Sequence, residues 1–163
     1  MTSAQALGLL PGCALHRVAT RDRDELLTLL AAAVVENGHG RPSLPAAVVE
    51  RERRYPTGLP TAIPSAIPHT DAVHVLHAGL AVATLAEPVL FGQMGGSGEE
   101  LPVQLVVLLC ISDPRTQVEA LQQVLGRLGD QAAVAKVVGH TDPETFDDAV
   151  RSWLNHAAPI QAR

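Results

Sequence analysis

Arg51-Glu52-Arg53-Arg54-Tyr55-Pro56-Thr57-Gly58-Leu59, followed after a short spacer by Ser65-Ala66-Ile67-Pro68-His69-Thr70-Asp71, is the stretch around which the chain is organised. Turn formers, an imidazole and cationic side chains meet here without a helical or strand period to account for them. Pro56, Pro60, Pro64 and Pro68 each fix φ and remove a backbone donor. This run is therefore expected to lie as a stiffened surface loop, not as a helix interior or a central strand. Pro68 directly precedes His69 and biases Ile67 to an extended conformation, so the imidazole is presented at a defined place.

Upstream, Ser43 is placed to cap a helix carrying Leu44, Ala47, Val48 and Arg51 at 3.6-residue spacing, with Arg51 on the line of the buried face at the end nearest the loop. Arg51, Arg53 and Arg54 make a local positive patch in an acidic chain, suited to a phosphorylated side chain or an acidic partner. A solvated cluster in which any of them pairs with Glu50 or Glu52 is the plainer reading. Downstream come Asp71, His74 and His77, whose residue types are those of a catalytic zinc site. Their spacing argues against it: the segment reads as turning into a strand that sends His74 and His77 to opposite faces.

The remaining elements interleave. Residues 13–19 read as a first strand, in which His16 is simply accommodated. Asp22 to Glu25 open a helix that Asn37-Gly38 closes, with Leu26, Leu27, Leu30, Val34 and Val35 as its core face and His39 exposed in the exit turn. A strand over 78–85 is followed by a break at Glu87-Pro88, a short strand over 89–91 and a glycine-rich loop over 92–98. That loop lacks the Gly-Lys-Ser/Thr ending of a nucleotide site. Val103 to Ile111 is the most apolar run and reads as a central buried strand. Asp113 and Pro114 open a helix with Gln117 in its first turn and Val118, Leu121, Val124, Leu125 and Leu128 as its core face; the backbone donors at that N-terminus would assist a nearby anion if Gln117 lay close to His69. A short helix over 131–138 and a last one carrying Phe146, Ala149, Val150, Trp153 and Leu154 complete the pattern. The expectation is one α/β domain over 1–163, a three-layer arrangement of a small mixed sheet with helices on both faces, its core at about 13–157 and its termini short and flexible.

Composition narrows the function. The chain has 163 residues and is 47% hydrophobic but only 2% aromatic, so its core must be aliphatic. A formal charge of -5 argues against nucleic-acid binding, which asks for a basic stripe. Cys13 and Cys110 lack a CxxC spacing and read as small buried hydrophobes in a reducing compartment. No run of eighteen apolar residues and no signal-type leader is seen, which implies a cytoplasmic protein reaching the membrane only through a partner.

The ordered set formed by Arg51-Glu52, Tyr55 to Leu59, and Ala66-Ile67-Pro68-His69 resembles the signature of fructose/mannitol-type IIA components of the bacterial sugar phosphotransferase system (PTS). It is most similar to the galactitol branch, whose pattern RExxYPTG(L/I), a variable spacer, AIPH and a further His five residues on is matched through His74. The resemblance implies the type-2 EIIA fold. It also implies that His69 takes a phosphoryl group from the phosphocarrier HPr and gives it to a cysteine on a cognate IIB component, itself linked to a membrane IIC. Arg51 is then the phosphate-facing arginine, with His74, Thr70 and Gln117 as further binding candidates, and neither metal nor cofactor is called for. Mannitol-type members carry a second active-site His where this chain has Gln117, and galactitol-like members tend to carry Gln. Two other readings remain open: a regulatory IIA-like module whose phosphorylation state a partner reads, and a metal-dependent hydrolase using His69, Asp71, His74 and His77.

Overall fold

The computed structural model describes residues 7–155. Of the expected flexible termini, residues 1–6 and 158–163 fall outside that range, as do the last two residues of the expected core; residues 9–12, expected in the N-terminal tail, instead begin the first strand, with Leu9 and Leu10 buried. Five strands, β1 (Leu9–Val18), β2 (Gly58–Leu59), β3 (Ser65–Ala66), β4 (Gly79–Gly92) and β5 (Glu100–Cys110), form one mixed sheet in the order β1-β4-β5-β3-β2. The β1–β4 and β3–β5 pairings are parallel, whereas β4–β5 and β2–β3 are antiparallel. Helices α1 (Arg23–Glu36), α2 (Leu44–Arg54), α3 (Gln117–Leu128), α4 (Gln131–Val138) and α5 (Phe146–Asn155) cover it.

The three layers follow from the two-residue period of β4 and β5. Val106, Leu108 and Cys110, with Ala81 and Ala83, join the core under α1 and α2. The alternate residues Leu105, Val107 and Leu109, with Leu80 and Val82, join a second core under α3, α4 and α5. A strand apolar on both faces is thereby buried on both faces, as the run over 103–111 implies. Asp22 accepts from the backbone N–H groups of Asp24 and Glu25 and caps α1. Cys13 and Cys110 are free and buried, and burial pushes their thiols up to about 11 and about 12, so both are protonated core hydrophobes.

Several elements differ from the sequence expectation. The proline-rich stretch is not a surface loop: it supplies β2 and β3, and Ser65 to Thr70 are all buried. Proline lacks a donor but keeps its acceptor. The Pro64 carbonyl accepts from Gln104 N and the Pro68 carbonyl from Leu109 N, both at 2.9 Å, so the prolines join the ladder along β5 as acceptors only. The strand expected to break at Glu87-Pro88 runs on as β4; its register slips between Thr84 and Val89, where Ala86 to Pro88 bulge outward. β5 starts at Glu100 and passes through Pro102, where β3 is not yet alongside it. Asp113 caps a 3-10 turn, Pro114–Thr116, that leads into α3. In α3 the buried residues are Ala120, Val124 and Leu128, while Val118 and Leu125 are 69% and 45% exposed.

Candidate functional site

His69 sits where the β3 segment continues alongside β5, bridged to Leu109. It is only 7% exposed. Its Nδ1 lies 3.0 Å from the Ile67 carbonyl oxygen, an acceptor, so Nδ1 carries the proton and donates. Nε2 is left with a free lone pair. Burial holds the imidazole below its ordinary value and the Arg51 charge adds to this, against the Ile67 carbonyl and Asp71, so the ring is neutral at pH 7. A neutral imidazole with one nitrogen tied back and the other free is a nucleophile.

His69 borders a cavity of about 450 Å³ that Arg51 and Thr57 also line, with Tyr55, Met94 and Leu121 among its rim residues. Arg51 reaches it from the last turn of α2. Its guanidinium carbon is 4.9 Å from the Tyr55 ring centroid, Nη1 is 3.7 Å from Asp71 Oδ1, and Nε is buried with no hydrogen-bond partner among the described residues. A cation held by stacking and one long ion pair, with an unpaired N–H, is a site for an incoming anion. The opposite wall is the β4–β5 hairpin loop, brought close because Gly58 has no side chain: a Cβ there would meet Gly92 O at 2.6 Å. A groove of equal volume between α4 and α5, walled by Lys136, His140 and Trp153, contains none of these residues.

The family model described as "Phosphoenolpyruvate-dependent sugar phosphotransferase system, EIIA 2" matches residues 13–152. The chain belongs to this EIIA family. Galactitol-specific EIIA components of Escherichia coli, including that of strain K12, are 29% identical over 125 residues, 76% of this chain and 81% of theirs. The crystal structure of mannitol IIA from E. coli superposes with a TM-score of 0.73 at 20% identity, covering 90% of this chain and 98% of that one. The same enzyme IIA, solved in complex with phosphorylated mannitol enzyme IIB, gives 0.70 at 20% identity over 91% and 97% of the two chains. At that identity the likeness establishes the type-2 EIIA fold, the three-layer α/β arrangement expected from the sequence.

Within this EIIA domain the sequence-derived candidates separate. Arg51 and His69 face one cavity, and Thr70 is buried next to His69 in the chain. His74 is not on a strand but ends a 3-10 turn, Ala72–His74, where its Nδ1 is 2.8 Å from Ser43 Oγ. Ser43 is thus spent on His74 and makes no side-chain cap to α2. His77 pairs instead with His39, Nδ1 to Nδ1 at 3.2 Å, so the exit-turn His39 is half-buried and not free in solvent. His69, Asp71, His74 and His77 do not converge: among the described residues no three His, Cys, Asp or Glu side chains are grouped to hold a metal ion. Gln117 opens α3, but the α3 residue lining the cavity is Leu121, one turn on. His16 is accommodated, its Nε2 2.7 Å from His140 O and its ring packed on Phe146. No helix among the described residues is long and apolar enough to cross a membrane.

Two residues escaped the sequence reading. Glu52 is 1% exposed, and its carboxylate accepts from Thr57 N at 2.7 Å and Thr57 Oγ1 at 2.8 Å. The sign was present in the helical stripe: Leu44, Val48 and Glu52 recur every four residues and are the buried residues of α2, whereas Arg51 lies at the edge of that face. Arg53 pairs with Asp24 and Arg54 with Glu50; Arg54 also lines the cavity, so among the described residues Arg51 is the cavity arginine not engaged by a glutamate.

Proposed function

We propose that this EIIA domain is the phosphocarrier IIA subunit of a sugar phosphotransferase system, with His69 as the residue that is transiently phosphorylated. The supporting observation is the His69 ring itself, neutral, tied back through Nδ1 to Ile67 O, and lining a cavity it shares with Arg51. In the first transfer the phosphorus–nitrogen bond of phospho-HPr breaks as a new one forms at His69 Nε2, and the HPr imidazole departs with the electron pair. In the second, a thiolate on the cognate IIB attacks the same phosphorus and the His69 nitrogen recovers its lone pair. Arg51 offsets charge on the equatorial oxygens in both directions, and the phosphoramidate keeps enough free energy to pass the group on.

A docked partner would cover the cavity mouth. Tyr55, Met94, Val118 and Leu125 are exposed apolar or aromatic side chains, the first two at that mouth and the others on α3. Apolar anchors beside the cavity arginines, Arg51 and Arg54, are the usual make-up of a contact patch. The galactitol-specific relatives favour a galactitol-like polyol as the sugar taken up through the IIC partner, with the EIIA domain working in the cytoplasm and handling only the phosphoryl group. The test is onward transfer. Phosphorylated protein, freed of HPr, is mixed with purified IIB of galactitol type, and movement of the label to the IIB cysteine is the expected result. A stable phospho-protein that never discharges to IIB would replace the transport reading with the regulatory one.

A further inference from the structure

A buried carboxyl group is tied to the reactive histidine by a continuous run of hydrogen bonds. Glu52 accepts from both the N–H and the hydroxyl of Thr57. The Thr57 carbonyl accepts from Ile67 N at 3.3 Å, and the Ile67 carbonyl accepts from His69 Nδ1 at 3.0 Å. Pro68, between the last two, is pinned from the other side by Leu109 N. Ile67 is therefore held through both of its backbone polar groups, its N–H by Thr57 and its carbonyl by the imidazole. Thr57 is 2% exposed and lines the His69 cavity.

We infer that Glu52 is a positioning residue for His69, setting the place of the Ile67 carbonyl and hence the tautomer of the ring. This rests on His69 being the phosphoryl acceptor. Nothing else on the imidazole selects Nδ1 as the protonated nitrogen among the described hydrogen bonds, so a shift of Ile67 lets the proton move to Nε2 and removes its nucleophilic lone pair. A carboxylate suits the far end because Thr57 presents two donors to it, and among the described residues Glu52 meets no arginine in an ion pair. The same contacts fasten the last turn of α2, which carries Arg51, to the segment that carries His69. Cation and nucleophile thus share one support.

The experiment uses the full chain with Glu52→Ala, Glu52→Gln and Thr57→Val. Nitrogen-15 spectra of the His69 ring report the tautomer in unphosphorylated protein, and single-turnover transfer from phospho-HPr reports the rate. In Glu52→Ala the ring is expected to become a mixture of tautomers, with the rate falling about tenfold or more, since a misplaced reacting atom is costly. Glu52→Gln keeps an oxygen for Thr57 N and an amide for Thr57 Oγ1, and is expected to restore most of both readouts. If Glu52→Ala does not fold, Thr57→Val decides, because it removes only the hydroxyl bond and should give a smaller change of the same sign. A folded variant that breaks these bonds yet leaves the ring shifts and the rate at wild-type values overturns the inference. Failure of the wild type to accept phosphate would overturn the phosphocarrier reading alone, since the tautomer readout needs no phosphorylation.

Discussion

Replacing Arg51 by methionine separates catalysis from stability. The side chain is one-third exposed, and its only ion pair among the described residues is the 3.7 Å contact to Asp71, which is itself 78% exposed. Such a pair contributes ~0–1 kcal/mol. Against that loss, the substitution removes a buried Nε that has no partner among the described residues, and methionine keeps an apolar stem against Tyr55. The fold should therefore change by less than about 1 kcal/mol in denaturant melts. The rate should not escape. A charge-assisted bond to a phosphoryl oxygen contributes ~1.5–3 kcal/mol, and partial exposure favours the lower half of that range. Acceptance from phospho-HPr in rapid-quench single turnovers is expected to slow about 10- to 50-fold. Because Arg51 helps hold the His69 imidazole down, its titration by proton NMR should also move to higher pH in the variant. A folded variant within about twofold of wild type would refute the assignment of the phosphoryl oxygens to Arg51 and move that role to Arg54, the other arginine lining the cavity.

Burial of the His69 ring carries a pH signature: acceptance from phospho-HPr should stay on its plateau below about pH 6.5, where a free imidazole is half protonated. The linked stability has a defined sign. With its folded value depressed, His69 contributes stability that is complete above the unfolded value and declines as pH falls toward the folded one, so His69→Ala should flatten that part of the stability–pH curve. Gly58→Ala places a Cβ 2.6 Å from the backbone oxygen of Gly92. Thermal melts should register ~1–3 kcal/mol of destabilisation, and an unchanged melting temperature would mean the hairpin loop yields freely. Cys13 and Cys110, raised to about 11 and about 12, should resist iodoacetamide in native protein and react only after denaturation, followed by intact mass.

The central apolar strand, the capped first helix and the Arg51–His69 pairing were legible because each rests on local chemistry: an unbroken aliphatic run, an Asp at an N-cap, a cation and an imidazole flanking rigid turns. The β2–β3 insertion was not. Prolines read as sheet breakers, and only the tertiary arrangement reveals that Pro64 and Pro68 serve β5 as acceptors alone. The α3 face misled for a related reason. Val118 and Leu125 fit a helical stripe by hydropathy, yet helical phase buries Ala120, Val124 and Leu128, leaving Val118 and Leu125 exposed on the helix that sends Leu121 to the cavity. Glu52 was hidden by its charge. Its helical position marked it as buried, but which donors would meet it depended on the turn to Thr57. His74 matched the spacing of a site residue, and its Ser43 contact depended on two segments far apart in sequence.

The phosphocarrier reading meets its most direct test in the intact mass of the protein after incubation with phosphoenolpyruvate, enzyme I and HPr, repeated after brief acid treatment and on His69→Ala. A single acid-labile phosphoryl adduct is expected on the wild type and none on the variant. An adduct of equal yield on His69→Ala, or no adduct on the wild type while HPr is fully charged, would contradict that reading.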